Sequence, residues 1–191
     1  MGSSPGWRSH LFSVLVGPVV RGLMLRDRLL GVGRGLAKAD AREEFFFASA
    51  ERRLAGVWVP GDAGRPVVLL CHGIGETVGH WSAVQAFLAE RGVGSMVFNY
   101  SGYGKSSGTI RAEHCDEDLV SAYAELRRRV GPDSQVFVLD FSLGGGIAAS
   151  GVGGLSPQLA GLILCETFTS FREAACASGA PRWLARGFPD I

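Results

Sequence analysis

The chain has 191 residues, of which 47% are hydrophobic and 19% are charged, so it holds enough apolar material for one globular core. Its net charge of +1, with arginines scattered along the sequence, argues against a nucleic-acid partner. The four cysteines form no C-x-x-C pair. We therefore expect reduced thiols, no metal site and a cytoplasmic location.

The N-terminal segment differs from the rest, and we divide the chain into residues 1–40 and a domain over residues 41–191. Apolar residues and arginines alternate over residues 11–36, as in a basic amphipathic helix. Such a helix either contacts a membrane surface or packs on its own domain, and Asp27 in the apolar face favours packing. The uninterrupted apolar run is far shorter than the roughly 20 residues that span a bilayer.

The predicted elements after residue 40 begin with a hairpin at a sheet edge, over residues 45–50 and 54–60. Apolar runs then predict strands, and apolar positions at helical spacing predict helices. The strands are residues 67–71, 93–100, 135–140 and 159–165, and the helices are residues 80–90, 116–130 and 143–155. This alternation predicts an α/β fold with a mostly parallel, doubly wound sheet.

Two loops that follow predicted strands carry the residue types of acyl-transfer chemistry. The stretch from Asp140 to Gly145, with Ser142 between a strand and a helix, is typical of the nucleophile elbow G-x-S-x-G. Asp140 departs from that pattern, because it places a carboxylate where glycine is usual. The stretch from His72 to Gly75 is a glycine turn whose N–H groups could hold an oxyanion, although the glycines alone would also explain a tight turn.

A third loop, residues 99–108, offers a nucleotide-binding alternative. Gly104, Lys105 and Ser106 match the end of the phosphate-binding pattern G-x-x-x-x-G-K-[ST]. The pattern needs a glycine where this chain has Asn99, and it needs a helix that starts at the lysine. Because neither requirement is met in the sequence, we rank this alternative below acyl transfer.

The sequence contains no histidine after Ser142. All four histidines (His10, His72, His80 and His114) precede it, whereas in the α/β-hydrolase order the acid and the histidine follow the serine. A serine hydroxyl with no base to accept its proton is a poor nucleophile at neutral pH. Glu166 is the one candidate for the acid, and a structural role is the favoured interpretation.

Five segments resemble, in chain order, the landmarks of the α/β-hydrolase superfamily, and within it the serine-aminopeptidase-like hydrolases. They are residues 45–60, 72–75, 99–108, 141–145 and 168–171. The resemblance implies an α/β-hydrolase fold with an N-terminal antiparallel hairpin and hydrolysis of small acyl or lipid-like esters or thioesters without metal or cofactor. It also implies roles for individual residues: Ser142 as nucleophile, Ile74 and Leu143 as oxyanion donors, and His72, Gly73, Gly75 and Tyr103 as binding residues.

Taken together, these features predict a serine hydrolase of which this chain is an incomplete and inactive part, lacking the last strands and poorly soluble by itself. An unpartnered final strand would leave apolar surface exposed. The alternative is a protein of the same fold that binds a ligand without catalysis, which Asp140 and the missing histidine favour.

Overall fold

The computed structural model describes residue 22 and, from residue 41 onward, most of the chain; the other described ranges are 41–142, 151–155, 159–165, 170–177 and 179–186. The predicted segment over residues 1–40, apart from Gly22, lies outside these ranges, and so does most of the helix predicted over residues 143–155. No helix in the described ranges is long and apolar enough to cross a membrane.

Six strands form one mixed sheet. They are β1 (Glu43–Ser49), β2 (Arg52–Val59), β3 (Val67–Cys71), β4 (Gly94–Phe98), β5 (Val136–Phe141) and β6 (Leu159–Cys165). The spatial order is β1-β2-β4-β3-β5-β6. The β1–β2 hairpin and the β2–β4 pair are antiparallel, whereas β3 pairs in parallel with β4 and β5, and β5 with β6. The mostly parallel sheet with an N-terminal hairpin is therefore confirmed.

The described helices lie between and after the parallel strands. They are α1 (Ser82–Ala89), preceded by a 3-10 turn over Val78–Trp81, then α2 (Ala112–Val130), α3 (Phe171–Ala177) and α4 (Arg182–Ala185). Helix α2 starts earlier than the predicted residue 116, because Arg111 is extended and Glu113 occupies the first turn, where the helix dipole favours an acid. Apolar periodicity, on which the prediction rested, begins only later in the helix.

Both faces of the sheet are covered by apolar packing, as expected for a doubly wound sheet. On one face, α2 buries Leu119 and Leu126 in a cluster that includes Leu69 and Phe98 of the sheet. On the other face, Trp81 packs with Val68, Leu70 and Val97. Burial on both faces explains why β3 and β4 are continuous apolar runs.

Strand β6 lies at the edge of the described sheet, where β5 is its partner. It is less buried than the other parallel strands, and the side chains of Ile163 and Leu164 are 42% and 43% exposed. The apolar surface predicted beside the last strand is therefore present in the described part of the sheet.

A buried carboxylate ties the hairpin to α2 and to the loop after β4. Asp118 is fully buried and accepts hydrogen bonds from the Ser49 hydroxyl (2.6 Å) and the Ser101 backbone N–H (2.7 Å). The Arg52 guanidinium lies 3.3 Å from Asp118 and 2.5 Å from the exposed Glu117. Burial opposes the charge of Arg52, but these two carboxylates more than compensate and raise the pKa of Arg52.

We predict that Asp118→Ala destabilises the fold by roughly 3–5 kcal/mol, because it leaves Arg52 and the Ser101 N–H without their buried partner. The matched control is Glu117→Gln, which removes the exposed partner of the same arginine and should cost at most about 1 kcal/mol. Urea unfolding of both variants measures the difference. If both variants lose the same free energy of unfolding, the buried Asp118 contributes no more to stability than the exposed Glu117.

Candidate active site

The register of β3 with β5 brings the two predicted turns together. Cys71 pairs with Asp140 at the carboxyl ends of these strands, so the chain leaves both strands side by side. A Cβ atom placed on Gly73 would lie 3.4 Å from the Ser142 Cβ and 3.4 Å from the Phe141 ring. The glycine turn after β3 and the serine after β5 are therefore adjacent, at the edge where open α/β sheets bind ligands.

Ser142 has the backbone conformation that a nucleophile elbow requires. Its φ of +57° lies in the left-handed region, which residues other than glycine rarely adopt. Its N–H donates to the Cys165 carbonyl oxygen at 3.0 Å, so β6 helps to hold the turn. Such strain costs about 1–3 kcal/mol and persists where the surrounding structure enforces it, most often at functional sites. The half-buried serine is thus held at a tight turn directly after β5.

Glu76, which the sequence analysis did not single out, fixes the turn after β3. Its carboxylate accepts the Gly73 N–H at 2.8 Å and the Trp81 indole N–H at 3.1 Å. The Trp81 ring in turn packs edge-on against the Phe141 ring, with centroids 6.2 Å apart. Glu76 is the only acid between His72 and Trp81, and that was the one signal available in the sequence.

Ile74 and Gly75 form the outer part of the same turn. Gly75 has a φ of +80°, which explains the need for glycine there. The Ile74 side chain is 38% exposed, and its N–H makes no hydrogen bond to another described residue. Leu143, the other predicted oxyanion donor, lies outside the described residues, as do Gly144 and Gly145. The oxyanion hole therefore stays a prediction.

His72 and Tyr103 lie beneath the turn and have no exposed surface. The His72 ring packs against the Tyr100 and Tyr103 rings, with both centroid distances 5.0 Å. Its Nδ1 lies 2.9 Å from the Gly73 carbonyl oxygen, so the neutral ring carries its proton there and donates it. In the described structure these two side chains support the turn from the core, and their role in ligand binding stays a prediction.

Burial sets the protonation states of His72 and Cys71. It lowers the pKa of His72 from 6.5 to about 4, and the Gly73 carbonyl and the Glu76 carboxylate offset only part of the effect. Burial also raises the pKa of Cys71 well above its ordinary value, with a further rise from the nearby Asp140 carboxyl. His72 is therefore neutral at pH 7, and the Cys71 thiol stays protonated.

Asp140 occupies the position where the elbow pattern has glycine, and its side chain is fully buried. It lies on the same face of the sheet as Cys71, its partner across β3 and β5. Burial is the larger cause of the raised pKa of Cys71 and of Tyr100, and the Asp140 carboxyl adds to both. The carboxylate thus lies within the sheet layer and has no exposed surface in the cleft.

The nucleotide-binding alternative is wrong. Lys105 does not begin a helix; its Nζ lies 2.8 Å from the Glu44 carboxylate, and the next helix starts at Ala112. The Ser106 hydroxyl donates to the Asn99 carbonyl oxygen at 2.7 Å and accepts the Ala55 N–H at 2.9 Å. The loop is therefore fastened to β2 and does not form a phosphate cradle.

His80 and His114 form hydrogen bonds with residues that are near them in the sequence. The His80 Nδ1 accepts the Thr77 N–H at 3.0 Å, and the His114 Nδ1 lies 2.9 Å from the Thr109 carbonyl oxygen. Glu166, the candidate acid, lies outside the described residues. Within the described ranges no group of three or more His, Cys, Asp or Glu side chains is placed to hold a metal ion.

We predict that buried, neutral His72 makes the fold acid-sensitive. Below pH 6.5 the unfolded chain gains a proton on this ring, whereas the folded chain does not until about pH 4, so stability falls as the pH falls through this interval. The corresponding loss is on the order of 3 kcal/mol. His72→Asn, which retains a donor for the Gly73 carbonyl, should abolish this part of the pH dependence.

Urea unfolding at several pH values measures the effect. Tyr103→Phe is the matched control, because it alters the other side of the same ring contact without removing the titrating group. It should keep the wild-type pH dependence. If His72→Asn keeps it too, the acid sensitivity arises elsewhere.

Comparisons with known proteins identify the family of this chain. The family model described as serine aminopeptidase, S33, matches residues 62–191. Protein YfhR of Salmonella typhimurium is 35% identical over 127 residues, which cover 62% of this chain and 43% of that protein. The lysophosphatidylserine lipase ABHD12 of Danio rerio is 33% identical over 119 residues, which cover 59% of this chain and 31% of that protein. The chain thus spans less than half the length of either relative.

Solved structures show the same fold. A thermostable carboxyl esterase from Bacillus coagulans superposes with a TM-score of 0.61 at 22% identity, covering 73% of this chain and 51% of that one. The Pyrococcus furiosus esterase PF2001 gives a TM-score of 0.61 at 20% identity, covering 76% and 60%. The predicted α/β-hydrolase fold is confirmed, and the chain belongs to the serine aminopeptidase S33 family of α/β hydrolases.

Proposed function

We propose that this chain carries the nucleophile and oxyanion part of a serine hydrolase that cleaves carboxylic esters of acyl or lipid-like substrates. The observation that carries the proposal is the strained backbone of Ser142 at the end of β5, next to the glycine turn after β3. In this arrangement the Ser142 Oγ attacks the acyl carbon, the alcohol leaves, and the carbonyl oxygen becomes an oxyanion. Outward N–H groups, of which Ile74 supplies one, would stabilise that charge.

Two similar proteins whose names state an activity support the proposed substrate class. ABHD12 of Danio rerio is a lysophosphatidylserine lipase, and the Bacillus coagulans protein is a carboxyl esterase. Both names describe hydrolysis of a carboxylic ester, the chemistry that an activated serine performs. We extend this bond type, without a particular acyl chain or alcohol, to the present chain.

The missing element is a base for the serine proton. His72 is buried and neutral, and its proton on Nδ1 points to the Gly73 carbonyl. The sequence offers no histidine after Ser142. We therefore propose that turnover by these 191 residues alone is weak, near the roughly 10³-fold acceleration over water that binding and an oxyanion hole retain without a triad.

A non-catalytic binding protein of the same fold is the second candidate, and a specific feature favours it. Asp140 stands where the elbow pattern has glycine, and it is buried directly beneath the turn that bears Ser142. On this alternative the cleft retains its ligand, but the serine has no reactivity above that of an ordinary hydroxyl.

A fluorophosphonate probe tests the proposal. Its phosphorus forms a bond to the Ser142 Oγ, fluoride leaves, and the serine proton passes to water. We expect a slow adduct on the folded wild-type chain, no adduct on Ser142→Ala, and unchanged labelling of the control Ser121→Ala, whose half-buried serine lies in α2. Mass spectrometry of the adduct measures all three. Equal labelling of Ser142→Ala, or no labelling of the folded wild type, would contradict a hydrolase site.

A further inference from the structure

A groove lies between the β1–β2 hairpin and the residues that follow the glycine turn. It has a volume of about 270 Å³ and separates the β1–β2 hairpin from the turn after β3 and the loop after β4. We call it the hairpin groove, and its principal lining residues are Arg42, Phe46, Ala55, Val57, Val78 and Lys105. None of the catalytic roles described above uses it.

The floor of the hairpin groove is apolar. Phe46 pairs with Ala55 across the hairpin, and Val57 follows on the same face of β2 because strand side chains alternate. Phe46 is 42% exposed, so part of its side chain is open to a ligand. An exposed aromatic ring at the end of an apolar floor suits a short hydrocarbon chain.

The rim of the hairpin groove is mainly cationic. Lys105 and Arg42 both face Glu44, whose pKa is lowered chiefly by its hydrogen bond to Lys105, against the effect of burial, and further by the charge of Arg42. The guanidinium of Arg53 also stacks over the Phe46 ring, 3.5 Å from its centroid. Among the residues that line the groove, two cations (Arg42 and Lys105) accompany one carboxylate (Glu44), and this local excess of positive charge favours an anionic ligand.

The ion pair across the rim can yield to a ligand at little cost. The Lys105 and Glu44 side chains are 70% and 60% exposed, and such exposed pairs contribute very little to stability. A ligand anion can therefore take Lys105 as its partner without opening the fold. The Val78 N–H, by contrast, is held at 2.9 Å by the Asn99 side-chain oxygen, so the opposite wall of the groove is fixed.

We propose that the hairpin groove binds a single-chain fatty carboxylate, with its carboxylate between Arg42 and Lys105 and its first methylenes on Phe46 and Val78. The groove is slightly smaller than the roughly 300–1,000 Å³ of drug-sized sites, which suits one short chain and excludes a diacyl lipid. The choice of ligand rests on the proposed function in one respect: a fatty carboxylate is the acid that hydrolysis of an acyl ester releases.

The test is calorimetric titration of the full chain with octanoate, alongside butyrate, octanol and inorganic phosphate. Octanoate should bind more tightly than the other three, because only octanoate satisfies both the rim and the floor. Lys105→Gln and Arg42→Gln should each weaken octanoate binding about tenfold, or ~1.4 kcal/mol. Arg91→Gln is the matched control, since Arg91 is an exposed arginine that, like Lys105, lies beside a glutamate (Glu90, 3.6 Å), but it does not line the groove. This variant should bind octanoate as the wild type does.

Two results would overturn the proposal. Unchanged octanoate affinity in both Lys105→Gln and Arg42→Gln would place octanoate elsewhere, and equal affinity for phosphate would reduce the groove to a simple anion site. Ser142→Ala separates this proposal from the hydrolase: it should bind octanoate normally while it fails to react with the fluorophosphonate. If the wild type binds octanoate but the fluorophosphonate does not label it, the proposed ligand site stands and only the proposed hydrolase activity is contradicted.

Discussion

The parallel pairing of β3 with β5 determines the position of every candidate catalytic group in the described structure. Because Cys71 lies opposite Asp140, the next residues of both strands emerge together and Gly73 meets Ser142. A Cβ atom at Gly73 would lie at van der Waals distance, 3.4 Å, from the Ser142 Cβ, which shows how close the two turns are. A slip of one residue would carry the turn away from the serine and exchange the two faces of the strand.

Polar groups beside and below the two turns hold them in place, and these groups support the site without reacting themselves. Glu76 joins the Gly73 N–H to Trp81, which packs against the residue before the serine. His72 lies below, neutral and buried, so this histidine acts as a structural donor and not as a base. Groups that enforce a strained backbone must be rigid, and rigidity here comes from burial, which also suppresses ionisation.

Sequence patterns predicted the elements whose causes are local, and missed features that depend on contacts distant in sequence. The strands Val67–Cys71 and Leu159–Cys165 match their predicted limits because each is an apolar run bounded by turn residues. The partner of Lys105 is Glu44, 61 residues away, so the sequence alone left a nucleotide-binding alternative open. The burial of Tyr103 depends likewise on side-chain direction, which periodicity does not encode. The position of Ser142 was predictable because the elbow pattern is itself local.

The central claim is that the Ser142 turn and the glycine turn after β3 form one acyl-transfer site. The most direct measurement is a crystal structure of the chain after reaction with a fluorophosphonate, because the phosphonyl oxygen occupies the place of the oxyanion. The account predicts phosphorus bonded to the Ser142 Oγ and the phosphonyl oxygen about 2.7–3.1 Å from the Ile74 nitrogen. Phosphorus on another residue, or a phosphonyl oxygen directed away from the Ile74 N–H, would contradict it.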